Sequence, residues 1–279
     1  MLHNGVMQST QDLNESKEVA DAYRLAFNDP EFLRRPETRG IRFQLELLKP
    51  ELIQTEEGIH NTVVVFGSAR FTSLEEAQRR YQEVMQLPTS APNTELLALA
   101  QRDLENASYY EAARKFAHLV SQACASHPKK DRLTICTGGG PGIMEAANRG
   151  AMEAGAPSVA MNISLPHEQA PNPYVTPGLS FQFHYFALRK MHFAMRAKAL
   201  IAFPGGFGTL DELFEMLTLV QTRKVKSTPV YLYGSDYWKR LIDFDWMVES
   251  GTISKNDLAC FQYVDSPEDA WAEIQRLLA

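Results

Sequence analysis

The stretch 199-ALIAFPGGFGTLDELFE-215 decides how the chain is read. Ala199 to Phe203 form an apolar run of the length of a buried strand. Pro204, Gly205, Gly206, Phe207 and Gly208 follow, and a helical pattern begins at Leu210. Strand, glycine turn and helix in that order make a cradle for an anion. Glycines let the backbone approach with its N–H groups turned inward, and the helix adds unpaired N–H groups and a favourable dipole. On this reading Thr209 is the N-cap and Asp211 and Glu212 lie in the first turn, next to the anion site. The spacing of Thr209 and Glu212 also fits a capping box, in which the glutamate only reaches back to a backbone N–H. Spacing alone leaves both readings open.

Outward from this stretch the same pattern recurs. Residues 62–66, TVVVF, predict a first core strand that runs into Gly67 and Ser68. In an open α/β sheet, ligands sit beyond the carboxyl ends of such strands. Residues 133–136 predict a second strand, followed by Thr137, Gly138, Gly139, Gly140, Pro141 and Gly142 and then a helix, with Pro141 suited to its first turn. The string is only loosely a dinucleotide fingerprint, and the next strand, 157–163, has no acid at its tip, which disfavours a nicotinamide dinucleotide. Further strands are predicted at 179–183, 229–233 and 261–264. Helices are predicted at 73–86 and 109–125, from His184, from Leu210 to about Thr222, and at 237–248 and 267–278. Alternating strands and helices predict an α/β fold, a Rossmann-like doubly wound parallel sheet over residues 61–279.

Residues 1–60 precede the first strand and predict an N-terminal helical extension. Helices are expected at 15–27 and 39–48, ended by Asp29-Pro30 and Lys49-Pro50. Arg34, Arg35, Arg39 and Arg42 read as a solvated face. Residues 164–178 form a proline-rich loop with His167 and Glu168 as its polar candidates.

Composition narrows the function. Of 279 residues, 44% are hydrophobic and 22% charged, ordinary for a globular protein, and the net charge of −6 speaks against the basic field of a nucleic-acid binder. Cys124, Cys136 and Cys260 are isolated and odd in number, which points to a reduced, cytoplasmic setting and away from a zinc site. No apolar run of about 18 residues and no secretory leader is seen, so no membrane association is expected.

The run P-G-G-x-G-T-x-x-E, Pro204 to Glu212, resembles the signature of the Lonely guy family, the cytokinin riboside 5'-monophosphate phosphoribohydrolases and related bacterial nucleotide nucleosidases. Gly67-Ser68 and the string G-G-G-P-G-I-M-E-A at Gly138–Ala146 match that family as well. So does the pair Arg189-Lys190, whereas Tyr185, Phe186, Ala187 and Leu188 depart from the Asp-Met-His-x of the shorter members and resemble a longer subgroup. The resemblance covers residues 61–279. It implies cleavage of the N-glycosidic bond of a purine nucleoside 5'-monophosphate, AMP or an N6-modified AMP, to free base and ribose 5-phosphate, in a homodimer or higher homo-oligomer. Glu212, expected to stay ionised near a helix N-terminus, takes the role of the carboxylate at the anomeric carbon, and Arg189 bridges it to the substrate. Gly205, Gly206, Gly208 and Thr209 hold the phosphate with help from Gly139, Gly140, Gly67 and Ser68. Lys190 belongs to the same set, and Glu215, three residues after Glu212 on one helical face, is a second candidate carboxylate. No metal and no cofactor is expected. Two rivals stand beside this reading: a nucleotide carrier or sensor of the same fold, and the amino-acid decarboxylase label attached to the family, for which Lys190 and Lys198 are the candidate Schiff-base lysines.

Overall fold

Strand β1, Asn61–Phe66, is buried from Thr62 onward, as a central strand covered on both faces must be. The structure is a computed structural model that describes residues 21–87, 93–165, 170–225 and 228–278. Among them, β1 is joined by β2 (Leu133–Thr137), β3 (Ser158–Ile163), β4 (Ser180–Phe183), β5 (Ala197–Ala202), β6 (Val230–Tyr233) and β7 (Phe261–Val264). All pairings are parallel, in the order β4-β3-β2-β1-β5-β6-β7. The chain builds outward from β1 on one side and then returns to place β5 on its other side. The crevice at such a reversal, beyond the strand ends, is where open α/β sheets take ligands.

The described helices are α1 (Pro30–Arg34), α2 (Arg39–Glu56), α3 (Leu74–Met85), α4 (Asn93–Cys124), α5 (Ile143–Glu153), α6 (Phe186–Met195), α7 (Phe207–Gln221), α8 (Ser235–Leu241), α9 (Phe244–Glu249) and α10 (Pro267–Leu278). Alternation along the strands sends side chains to two cores. Val63, Val65, Ala199 and Ile201 pack with Tyr110, Phe116 and Ala117 of α4, Ile143 and Ala147 of α5, and Ile274 of α10. Val64, Phe66, Leu200 and Ala202 pack on the opposite face with Phe193 of α6, Leu213 and Met216 of α7, Trp238 of α8 and Phe244 of α9. The sheet is thus doubly wound, as the sequence predicts.

Several boundaries differ from expectation. Helix α2 runs through Pro50 rather than stopping at it, and Gln54 Nε2 donates to the Pro50 carbonyl at 3.1 Å. Helix α4 starts 16 residues before the expected Tyr109. The predicted helix at 237–248 is two helices, because Asp243 caps a new N-terminus by accepting from Trp246 N at 2.8 Å. The part of the expected 15–27 helix that is described, from Asp21, shows only short 3-10 turns. Two compact units divide at Glu46/Leu47. In the first, Arg42 Nη1 donates to the carbonyls of Leu33 (2.6 Å) and Arg35 (2.7 Å). The second holds the sheet. No described helix is long and apolar enough to cross a membrane.

Candidate functional site

Three loops at the carboxyl ends of β1, β2 and β5 are stitched together by their backbones. Ser68 N donates to the Pro204 carbonyl at 2.9 Å, and Ile143 N donates to the Ser68 carbonyl at 3.0 Å. The second contact is possible only because residue 142 is glycine. Gly142 has φ +74°, and a Cβ there would run into the Ser68 carbonyl.

Beyond these loops lies a cleft of two lobes. One, of about 720 Å³, is lined by Gly67, Ser68, Arg70, the segment Pro204–Leu210, Glu212 and Tyr237, with Tyr109 from α4. The other, of about 730 Å³, is lined by Gly138, Gly140, Asn162, Ile163, Phe181 and Phe186 among others. Ala69, Met144 and Arg189 line both, so the lobes meet at these three side chains.

Arg189 and Glu212 face each other at this junction, with Arg189 Nη2 and Glu212 Oε1 3.2 Å apart and side chains 10% and 13% exposed. Helix α6 supplies the arginine and α7 the carboxylate. Arg189 is held by three groups: its Nε donates to the Met161 carbonyl at 2.8 Å, its guanidinium lies 5.3 Å from the centre of the Phe193 ring, and its Nη2 packs against Gly138. A Cβ at residue 138 would come within 2.5 Å of that nitrogen, which is why glycine stands there.

Burial sets the protonation of Glu212. Loss of water pushes its carboxyl up to about 7, against the opposing pull of the Arg189 cation, with the Asp211 and Glu215 charges adding to the rise. The expectation of an ionised carboxylate near a helix N-terminus is therefore corrected: Glu212 sits near its midpoint at neutral pH. The helix N-terminus does little to oppose this, because Glu212 lies beyond the first turn. Helix α7 starts at Phe207, with extended Gly206 as an N-cap that lacks a side-chain bond, so Glu212 is the sixth helical residue. Thr209 lies inside the first turn instead of capping it, buried, with its Oγ1 against Gly205. The capping-box reading falls with this start point.

The glycine loops bring Gly67, Ser68, Gly140, Gly205, Gly206, Gly208 and Thr209 to the cleft. Gly139 lies one residue behind, its N–H donating to Thr137 Oγ1 at 3.0 Å. Lys190 and Glu215 are not brought there. Lys190 Nζ pairs with Glu215 Oε2 at 2.7 Å and Asp211 Oδ1 at 3.1 Å, and Glu215 lines a separate depression with His60, Met191 and Lys198. The carboxylates hold the Lys190 ammonium above its ordinary value. Among the described residues no lysine lines either lobe. His167 and Glu168 lie outside the described residues.

Structure adds residues that the sequence does not single out. Tyr237 donates its hydroxyl to the Gly205 carbonyl at 2.6 Å, and Tyr109 stacks on Phe71 with centroids 5.8 Å apart. Asn172 binds the second glycine loop. Asn172 falls within the proline-rich 164–178 loop, and the Asn-Pro pair it forms with Pro173 signals a turn rather than a partner 33 residues away.

Residues 144–274 match the family model described as possible lysine decarboxylase. A probable cytokinin riboside 5'-monophosphate phosphoribohydrolase of Oryza sativa subsp. japonica is 38% identical over 100 residues, 30% of this chain and 40% of the relative. A cytokinin riboside 5'-monophosphate phosphoribohydrolase of Arabidopsis thaliana is 44% identical over 70 residues, 24% of this chain and 32% of the relative. The chain thus spans 32–40% of the length of these two relatives. Among solved structures, the molybdenum cofactor binding protein of Rippkaea orientalis is 17% identical with a TM-score of 0.48, over 78% of this chain and 98% of that one. The molybdenum cofactor carrier protein of Chlamydomonas reinhardtii is 18% identical with a TM-score of 0.45, over the same shares.

Proposed function

We propose, from a central stretch that is Lonely guy-type in sequence, that the protein is a phosphoribohydrolase. Its reaction cleaves the N-glycosidic bond of a purine nucleoside 5'-monophosphate, AMP or an N6-modified AMP, with water, giving free base and ribose 5-phosphate. The observation that carries this reading is the buried Arg189–Glu212 pair at the meeting point of two unlike lobes. One lobe is bounded by glycine backbone, Ser68, Arg70 and the N-terminus of α7, which suits a phosphate. The other carries Met144, Ile163, Phe181 and Phe186 with the amides of Asn162 and Gln182, which suits a flat heterocycle with polar edges. The bond to be broken then lies beside Glu212.

The chemistry follows from the geometry. The base departs with the bonding electron pair and leaves positive charge on the ribose. Ionised Glu212 stabilises that charge and takes a proton from the attacking water, whose oxygen bonds to the anomeric carbon. The departing base nitrogen gains one proton, so that one water is consumed and Glu212 ends ionised again. A carboxyl near 7 is matched to that task at neutral pH, since it is ionised often enough to act and basic enough to accept a proton. Arg189 fixes the carboxylate and contributes a fork of donors to the ribose or phosphate. Gly205, Gly206, Gly208, Thr209 and Ser68 hold the phosphate oxygens, with Gly67 beside them; Gly140 lines the neighbouring lobe and Gly139 supports it from behind. In this scheme Lys190 and Glu215 support α6 and α7 through their ion pair. Residues 61–279 form the catalytic domain, residues 1–60 its N-terminal extension, and the working unit is a homo-oligomer.

The decarboxylase label finds no support in the cleft, because Lys190 is tied to two carboxylates and Lys198 lines the depression outside it. A panel of nucleoside monophosphates incubated with purified protein, with free bases resolved by chromatography, tests the reading. Adenine released from AMP and not from adenosine is the expected result. Binding without base release would favour a carrier or sensor.

A further inference from the structure

The second glycine loop is held from behind by a side chain that does not itself line the cleft. Asn172, 6% exposed, donates its Nδ2 hydrogens to the carbonyls of Gly139 (3.1 Å) and Gly140 (3.0 Å) and to Asn148 Oδ1 (2.9 Å). Its backbone N–H also reaches the Gly139 carbonyl at 2.9 Å, and its Oδ1 accepts from Tyr174 N at 3.1 Å. The network closes on itself. The Gly139 N–H donates to Thr137 Oγ1, Thr137 Oγ1 donates to Asn148 Oδ1 at 2.8 Å, and Asn148 Nδ2 donates to Ser158 Oγ at 2.9 Å. Thr137, Asn148 and Ser158 are fully buried or nearly so, which makes each of these bonds costly to leave unmade.

The consequence lies on the other side of the loop. In a trans peptide the N–H points opposite to the carbonyl of the same unit, and no cis bond is found here. Anchoring the Gly139 carbonyl on Asn172 therefore directs the Gly140 N–H away from Asn172, and Gly140 itself lines the cleft beside Met144 and Arg189. Gly139 sits at φ +73°, so without the clamp the loop has other conformations within reach.

We propose that Asn172 is a positioning residue for the nucleotide: it fixes the 138–142 loop so that the Gly140 N–H is presented to an acceptor atom of the bound nucleoside monophosphate. This rests on the hydrolase reading for its ligand. The loop contact is made in the bound ground state and in the transition state alike, so its loss weakens binding more than turnover.

Asn172→Asp keeps the size and the acceptor for Tyr174 N, and it turns the donor into an oxygen that faces three acceptors. Asn172→Ala removes the clamp without repulsion and serves if the first variant does not fold. For either, the Kd for AMP by calorimetry and the KM for AMP are expected to rise at least about 10-fold, with kcat within about 3-fold of the parent. A melting temperature lowered with Kd and KM unchanged in the folded protein overturns the proposal, since Asn172 would then hold structure only. Parent protein that binds AMP without releasing adenine overturns the hydrolase reading and leaves the Kd comparison to decide Asn172. Parent protein that binds no AMP contradicts both.

Discussion

The two glycine loops are built from the same elements, a strand end, glycines and a helix start, yet they divide the work. The loop after β5 leads into α7 and delivers a charge: Glu212 follows it, buried beside Arg189, and its carboxyl is pushed up to about 7. The loop after β2 leads into α5 and delivers shape. Its two residues at positive φ, Gly139 and Gly142, are locked by Asn172, Thr137 and the Ser68 carbonyl. In its following helix the first-turn Glu145 is occupied by the Tyr110 hydroxyl at 2.8 Å, away from the cleft. A glycine-rich turn at a strand end is thus a frame, and what it does depends on which side chains the next helix and the far loops bring to it.

The contrast is broken most sharply at the charged loop. Arg189→Ala is expected to lower kcat/KM for AMP at least about 100-fold, because a charge-assisted contact to both carboxylate and substrate is lost. Removing the nearby cation also lifts the Glu212 carboxyl further, so the rising limb of the residual pH–rate profile should move to higher pH. An unshifted profile with near-normal kinetics would remove Arg189 from the site. At the shaping loop the expected damage is to stability. Gly142→Ala forces a Cβ into the Ser68 carbonyl at a positive φ and should destabilise the fold by about 2–4 kcal/mol in denaturant melts. A melt within experimental error of the parent would show that the loops move independently. The smallest effect is expected for Tyr237→Phe, which removes the single bond to the Gly205 carbonyl and should cost about 1 kcal/mol of stability with a few-fold rise in KM.

Much of the fold is legible because a central parallel strand has a strong signature. The runs TVVVF and ALIAF are apolar on both faces, and both emerge in the middle of the sheet as β1 and β5. Helix starts are less legible where a chain carries few of the usual signals. Residues 93–108 are rich in helix formers, but Leu96 and Leu99 are exposed, so no core-facing stripe announces the start of α4. The start of α7 is shifted because Thr209 resembles a cap, while the turn is actually closed by extended Gly206 and the packing of Thr209 on Gly205. Within the site, local motifs mark Gly67, Ser68, the glycine loops, Arg189 and Glu212. Asn172 and Tyr237 act on carbonyls more than 30 residues away in sequence, and no local pattern encodes such a pairing. Lys190 and Glu215 show the converse: adjacency to a cleft residue along a helix places the side chain a turn or a face away, here in an ion pair outside the cleft.

On the proposed hydrolase reading, the burial of Glu212 serves chemistry rather than stability, and Glu212→Gln at pH 8 separates the two. With its carboxyl raised from 4.5 to about 7, the folded chain holds a proton that the unfolded chain has already released. Stability carried by the protonated form is complete below 4.5 and is lost as pH rises through about 7. Glutamine mimics the protonated form at every pH. At pH 8 the variant should therefore melt higher than the parent, by the equivalent of on the order of 1–3 kcal/mol, while adenine release from AMP falls by about 100-fold or more. Full activity in the variant, or lost activity together with a lower melting temperature, would overturn the catalytic role of Glu212.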